Sequence, residues 1–321
     1  MPSGFTIDKE IKDTCIEMSK QGKTPKQIYD EYFGNLFPET TPDAFARSLL
    51  NWKKGAGLQT KFVALEKLEP NKHEIAWNGN QIIRFGLIGD THFCSKYAQY
   101  TWLHKFYDEI ARRDIPIVFH AGDITEGEKM RDGQEYEIYK HGADEQADEV
   151  AKVFPKRDGV TTKFITGNHD SSFYKRIGVN IGKMIADKRS DMEYMGRDWA
   201  VIKLTPKCTL ELKHPWDGTG YALSYKPQKM IEAMEPDSKP NILAIGHYHK
   251  AFYMFYRNIH CFQVGCFQGQ TPHTRGKGIS IHMGGWIATV EVDKKGYIQN
   301  IVPEFIPFYY PIQDDYKKWH K

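Results

Sequence analysis

No apolar run in this 321-residue chain comes near the roughly 20 residues that a membrane-spanning helix needs. The amino terminus also lacks the basic-then-apolar pattern of a secretory leader, so the expectation is a cytoplasmic protein with no membrane partner. Cysteine is scarce and shows no pairing pattern. Cys15, Cys94, Cys208, Cys261 and Cys266 are odd in number, widely scattered and nowhere spaced C-x-x-C, which reads as reduced packing residues. An excess of one charge is missing too. The 44 Lys and Arg against 41 Asp and Glu leave a net charge of +3, too little to imply a polyanion partner by itself. There is no internal repeat and no low-complexity segment. At 40% hydrophobic and 26% charged residues, the composition is that of an ordinary globular protein, long enough for one large domain or two smaller ones. Nothing in it sets an oligomeric state.

Residues 1–57 are patterned differently from the rest. "TIDKEIKDTCIEMSKQG" places Ile7, Ile11, Cys15 and Met18 at helical spacing, with Gly22 as a stop signal. "TPKQIYDEYFGN" opens on Thr24 as an N-cap with Pro25 in the first turn, and "TPDAFARSLLNWKKGAG" repeats the device with Thr41, Pro42 and Asp43. Three short helices joined by tight turns read as a helix-turn-helix-like module. Arg47, Lys53 and Lys54, with Lys61 beyond, give its third helix and exit a basic edge suited to DNA; a small packing or oligomerisation bundle is the alternative. Residues 58–80 read as a linker, with "NKHEIAWNGNQ" a turn or hairpin leading into a second domain over 81–321.

From Ile82 onward, short apolar runs alternate with helical patterns. "IIRFGLIGD", "IPIVFHAGD" and "TTKFITGN" are strand candidates; "YTWLHKFYDEIARRD" and "HGADEQADEVAKVFPKR" are the helices between them. This is the β-α-β rhythm of a sheet with helices laid on it. The later half, with "AVIKLTP", "CTLELKH", "NILAIGH", "FYMFYRN" and "HCFQVG", is strand-rich, so a second sheet is expected.

Polar residues gather where these strands end. Asp90 and His92 follow the first, Asp123 the second, Asn168 and His169 the third, and His247 and His249 a later one. Open α/β sheets bind ligands beyond the carboxyl ends of their strands, so these side chains are expected to converge on one rim. In an extended chain, residues two apart point the same way, so D-x-H and H-x-H would each aim two donors at one spot. His and carboxylate donors together suit Mn, Fe, Ni or Zn. The set exceeds what one tetrahedral ion uses and suits a pair of ions about 3.5–4 Å apart that share a carboxylate.

Asp90-x-His92, then "GDITE", then "GNHD", then "GHYH" resembles the calcineurin-like metallophosphoesterase superfamily over roughly residues 82–292. The resemblance implies a four-layer α/β/β/α sandwich of two mixed sheets, here preceded by the small all-α module. It implies two divalent transition-metal ions, Mn first, with Fe, Ni or Zn as alternatives. One would be held by Asp90, His92, Asp123 and His249, the other by Asp123, Asn168, His214 and His247. His214, in "ELKHPWDGTGYALSY", supplies the ligand that the family places between its last two motifs. A hydroxide bridging the ions would attack phosphorus while His169 assists the leaving group and Asp170 accepts from its other ring nitrogen. His120 is expected to pack or support. His273, Arg275 and Lys277, in the Gly-rich loop "GQTPHTRGKG", are candidates for holding substrate phosphate.

The second motif lacks the Arg of the GDxVDRG sequence in the protein Ser/Thr phosphatase branch, which turns the reading away from phosphoproteins. The amino-terminal module turns it toward nucleic acid and the Mre11/SbcD-like DNA nucleases, since a tethered binding module raises the local concentration of strand. A small-molecule phosphomonoesterase or a cyclic-nucleotide phosphodiesterase is the alternative. A DNA-binding regulator with a purely structural metal site is disfavoured, because such a site has no need of His169 beside it.

Overall fold

The computed structural model describes residues 7–21, 23–55 and 72–319. Gly22, Lys61 and most of the expected linker lie outside them. The chain divides into two units, Met1–Glu69 and Pro70–Lys321.

In the first unit, α1 spans Lys9–Lys20 and α4 spans Pro42–Gly55. Between them α2 (Pro25–Ile28) runs through a π-helical turn (Tyr29–Phe33) into the single turn α3 (Gly34–Leu36). The start of α2 is set by Thr24, whose side chain accepts from the Gln27 amide while the Gln27 side chain accepts from the Thr24 amide. The helical stripe read from the sequence is the face that packs: Cys15, Ile16, Ile28, Phe33, Phe45 and Leu49 form the core, and the rings of Phe33 and Phe45 lie 4.3 Å apart. The expected basic edge is partly committed to this packing. Lys53 Nζ donates to Ser19 Oγ at 2.7 Å. Arg47 is exposed, and the side chain of Lys54 lies outside the described residues.

The second unit is built on two six-stranded sheets. One has the order β12-β11-β2-β3-β4-β5, from β2 (Ile82–Ile88), β3 (Ile117–Ala121), β4 (Thr161–Thr166), β5 (Met192–Arg197), β11 (Gly284–Val292) and β12 (Ile298–Pro307). The strands from β2 to β5 run parallel, and β11 joins antiparallel at Trp286↔Leu87. The other has the order β1-β6-β7-β8-β10-β9, from β1 (Lys72–Glu74), β6 (Trp199–Thr205), β7 (Cys208–Lys213), β8 (Ile242–Ile245), β9 (Ala251–Tyr256) and β10 (Ile259–Val264). It is mixed as well, with β7, β8 and β10 parallel and β9 antiparallel on its edge.

Strands covered on both faces read as nearly continuous apolar runs, which is how β2, β3 and β8 read. Phe85, Leu87 and Phe119 of one sheet face Ile202, Leu212 and Phe262 of the other in a shared core. Outside the first sheet lie α5 (Tyr100–Arg112), α6 (Ala143–Val153) and α8 (Ile181–Lys188), packing Phe106, Val150 and Ile185 on Val118 and Phe164. Outside the second lies α9 (Tyr225–Glu232), whose Ile231 sits on Leu243 and Cys261. The layers are therefore helix, sheet, sheet, helix. All five cysteines are buried and free.

Residues 72–80 differ from the expectation. Instead of a linker or hairpin, Lys72–Glu74 form an edge strand paired parallel with Val201–Lys203. Three polar residues carry no periodic signal, and their partner lies far along the chain.

Candidate metal centre

Three parallel strands of one sheet and two of the other end at the same rim. The GD, GNH and GH motifs begin where β3, β4 and β8 stop, and His214 follows β7 directly. Backbone bonds tie the turns together: Asp90 N donates to Gly122 O at 2.9 Å, His92 N to Asp123 O at 3.1 Å and Gly246 N to Lys213 O at 3.0 Å.

The turns are not extended as the two-residue spacing argument assumed. Asp90, His92, Asp123, His247 and His249 all have φ between 47° and 77°, a left-handed conformation that side-chain-bearing residues rarely adopt. The pairs converge because each motif coils tightly past its strand. Strain of this kind costs about 1–3 kcal/mol per residue and persists only where surroundings impose it. The motif glycines belong to the same device. A Cβ on Gly122 (φ +91°) would sit 2.5 Å from His214 Nδ1, and one on Gly167 would sit 2.3 Å from Asp123 Oδ1.

The ligand atoms fall into three groups: Asp90 with His92 and His249, His92 with Asp123 and His169, and Asp123 with His214 and His247, the middle one sharing His92 with the first and Asp123 with the last. His92 and His249 bring their Nε2 atoms to 3.1 Å, and Asp90 Oδ1 lies 3.4 Å from His249 Nε2. His214 Nε2 lies 3.1 Å from Asp123 Oδ2 and 3.0 Å from Asn168 Oδ1. The far nitrogens of His214 and His247 are held from behind. His214 Nδ1 donates to Ala121 O (2.7 Å), and His247 Nε2 donates to Asp217 O (2.6 Å). His92 Nδ1 lies 3.0 Å from the buried Glu126 carboxylate. Such outer contacts fix the tautomer and leave the facing nitrogen as a lone pair.

The donor set therefore fits divalent cations. With Nδ1 donating to Ala121, the His214 Nε2 lone pair points at a carboxylate oxygen and an amide oxygen, and nothing among these three supplies a proton. Either a proton or a metal must stand there. Burial opposes a charged His214, but the Asp123 charge and hydrogen bond, with Asp90 behind, outweigh it and raise the ring to about 9. His247, by contrast, is lowered to about 4, by burial and then by His214. Asp123 lies well below the usual carboxylate range, because the surrounding imidazoles outweigh its burial.

His169 belongs to the middle group, with His92 and Asp123. Its amide donates to Asp123 Oδ1 at 2.8 Å, and its ring is edge-on to His92, with centroids 4.6 Å apart. Glu126 O, not Asp170, accepts from its Nδ1, at 2.6 Å. Asp170 is turned inward: its carboxylate accepts from the amides of Ile124, Thr125 and Gly167 and from the Thr125 hydroxyl, stitching two motif turns together. His120 is buried; its Nδ1 accepts from Gly122 N, and its Nε2 meets Thr91 Oγ1 at 3.0 Å.

A cleft of about 730 Å³ opens over the clusters. His273 and Lys277 line it, whereas Arg275 is exposed and is not part of its wall. The loop that carries them is a short helix, α10 (Pro272–Gly276), capped by Thr271. Residues not singled out from the sequence complete the site. Glu126 takes amide bonds from Gln134 and Gln268, each at 2.9 Å. Its signal was its place three residues past Asp123; Gln268 had none. Asp217 anchors His247 through its carbonyl and Tyr248 through its carboxylate, at 2.6 Å each.

Fold and site together define a two-sheet sandwich with His and Asp clusters able to hold divalent metal at one rim. The chain belongs to the calcineurin-like phosphoesterase superfamily, whose domain model matches residues 83–283, more than half its length. It is 25% identical over 193 residues to the DNA polymerase II small subunit of Methanothermobacter thermautotrophicus, a match covering 49% of this chain and 39% of that protein. The chain thus spans about two fifths of that relative's length. Similar solved structures include an archaeal phosphodiesterase (11% identity, 70% of this chain and 100% of that one, TM-score 0.41). A Staphylococcus aureus protein described as a putative 5'-nucleotidase is another (11% identity, 74% and 58%, TM-score 0.39).

Proposed function

We propose that this protein hydrolyses phosphodiester bonds at a pair of divalent transition-metal ions, Mn foremost, with nucleic acid as its substrate class. Asp90, His92, Asp123 and His249 would hold one ion, and Asp123, Asn168, His214 and His247 the other. The observation that carries the reading is the convergence of His214 Nε2 on Asp123 Oδ2 at 3.1 Å and on Asn168 Oδ1 at 3.0 Å, an arrangement that needs a proton or a metal between these atoms. When bound, a metal pair supplies a hydroxide near neutral pH and a clamp for phosphoryl oxygens.

The chain's own contribution is placement. Glu126 O holds His169 by Nδ1, so Nε2 is the atom left to move a proton at the departing oxygen. Glu126 carboxylate and Gln268 steady His92 from behind. Support for nucleic acid comes from the likeness to a DNA polymerase small subunit, from the missing phosphatase Arg, and from the helical amino-terminal unit, proposed as a helix-turn-helix-like DNA contact.

The test compares apo protein reloaded with Mn, Fe(II), Ni or Zn on bis(p-nitrophenyl) phosphate, p-nitrophenyl phosphate, single-stranded DNA and duplex DNA. Asp123→Ala is expected to lose both metal and turnover. His169→Ala is expected to keep its metal and lose about 10²–10⁴-fold on DNA, whose alkoxide needs a proton, but far less on p-nitrophenyl esters, whose leaving group does not. Equal losses on both substrates would remove the proton-transfer role.

A further inference from the structure

The cleft has an unlike lining. Arg131, His273 and Lys277 are cationic or protonatable, with Arg131 paired to Glu137 at 2.5 Å. Trp216, two residues past His214 and 50% exposed, lines the same cleft. Its indole is fixed rather than loose. Nε1 donates to Asp198 Oδ1 at 3.1 Å, while the Asp198 carbonyl accepts from the His214 amide at 2.7 Å. One residue therefore positions both a candidate metal ligand and the ring beside it. Lys175 Nζ lies 3.6 Å from the ring centroid, a cation–π contact.

A large apolar ring that is half open to solvent gains nothing from packing on its exposed part. A ring locked by its N–H offers a flat face at little entropic cost. Nucleic acid alternates flat bases with phosphates, and base–aromatic stacking tolerates every sequence because each base has a π-face. The cationic side chains that line the same cleft suit a neighbouring phosphate of the same strand. We infer that Trp216 is a stacking platform for the base adjacent to the scissile phosphate, and that Arg131, His273 and Lys277 receive the strand's flanking phosphate. The inference rests on the phosphodiesterase reading above and narrows its substrate to single-stranded nucleic acid.

Two measurements on the full chain test it, using Trp216→Ala, Trp216→Leu and Trp216→Phe. The first is turnover of thymidine 5′-(p-nitrophenyl) phosphate against ethyl p-nitrophenyl phosphate, which share a leaving group but differ in having a base. Wild type is expected to prefer the thymidine ester, mainly through KM. The preference should fall roughly tenfold in Trp216→Ala and Trp216→Leu and survive largely in Trp216→Phe. The second is fluorescence anisotropy of labelled oligothymidylate in chelator, which reads the platform without turnover and should rank the variants identically. An unchanged ester preference, or a Leu variant that binds oligonucleotide as wild type does, overturns the platform; a ring that serves a peptide instead would give that result. If wild type cleaves neither ester, the hydrolase reading fails, and the anisotropy ranking still decides this one.

Discussion

At the scale of single residues, the site is held by side chains that are not themselves candidate ligands. Glu126 is the clearest. It is 1% exposed and accepts from Gln134 and Gln268. Burial pushes its carboxyl up, but His92, His169 and the Gln134 amide outweigh that and bring it down to about 2. A carboxyl lowered on folding adds stability that is complete above its ordinary value of about 4.5 and is lost as pH falls toward 2, here on the order of 3 kcal/mol. Metal-free protein should therefore show a thermal midpoint that drops steeply between about pH 5 and 3. Glu126→Gln should melt lower at pH 7 and with a shallower slope in that window. An identical slope in the variant would remove Glu126 as its source. The sequence made most of the candidate ligands legible because they sit in short fixed motifs. It left Glu126, Gln268 and Asp217 unassigned, because an outer contact is defined by which distant segment folds behind it. Asp170 shows the same limit: beside His169 in the chain, it bonds to the turn after β3 instead.

At the scale of elements, the strand-end turns carry the strain and the glycines make it possible. Gly122→Ala places a methyl against His214, whose ring cannot retreat because Ala121 O holds it, and asks alanine to adopt φ +91°. The expected cost is about 2 kcal/mol or more, read as a lower melting temperature in chelator, together with weakened metal uptake by titration. A variant with wild-type stability and metal affinity would show that the turn is softer than its contacts imply. Strands and helices with strong periodicity were legible from sequence, among them β2, β3, β4, α5 and α6. The three-residue β1 was not, and neither was the π-helical turn Tyr29–Phe33, since neither leaves a periodic trace.

At the scale of the whole molecule, two units share one chain, and their division of labour is open to experiment. Removing residues 1–69 should leave turnover of bis(p-nitrophenyl) phosphate intact, weaken DNA binding and flatten its dependence on salt, because fewer phosphate contacts release fewer counterions. Unaltered DNA affinity and salt slope in the truncated chain would exclude the amino-terminal unit as the DNA contact. The sequence by itself determined the chemistry on offer: which donors end which strands, and hence the family. Those are local matters of residue type and order. Only the tertiary structure decided how the donors meet, through left-handed turns rather than extended ones. It also decided which carbonyl holds His169, and that Trp216 and the cationic side chains line one cleft. Contacts between segments far apart in the chain depend on how two sheets stack, and no local pattern records that.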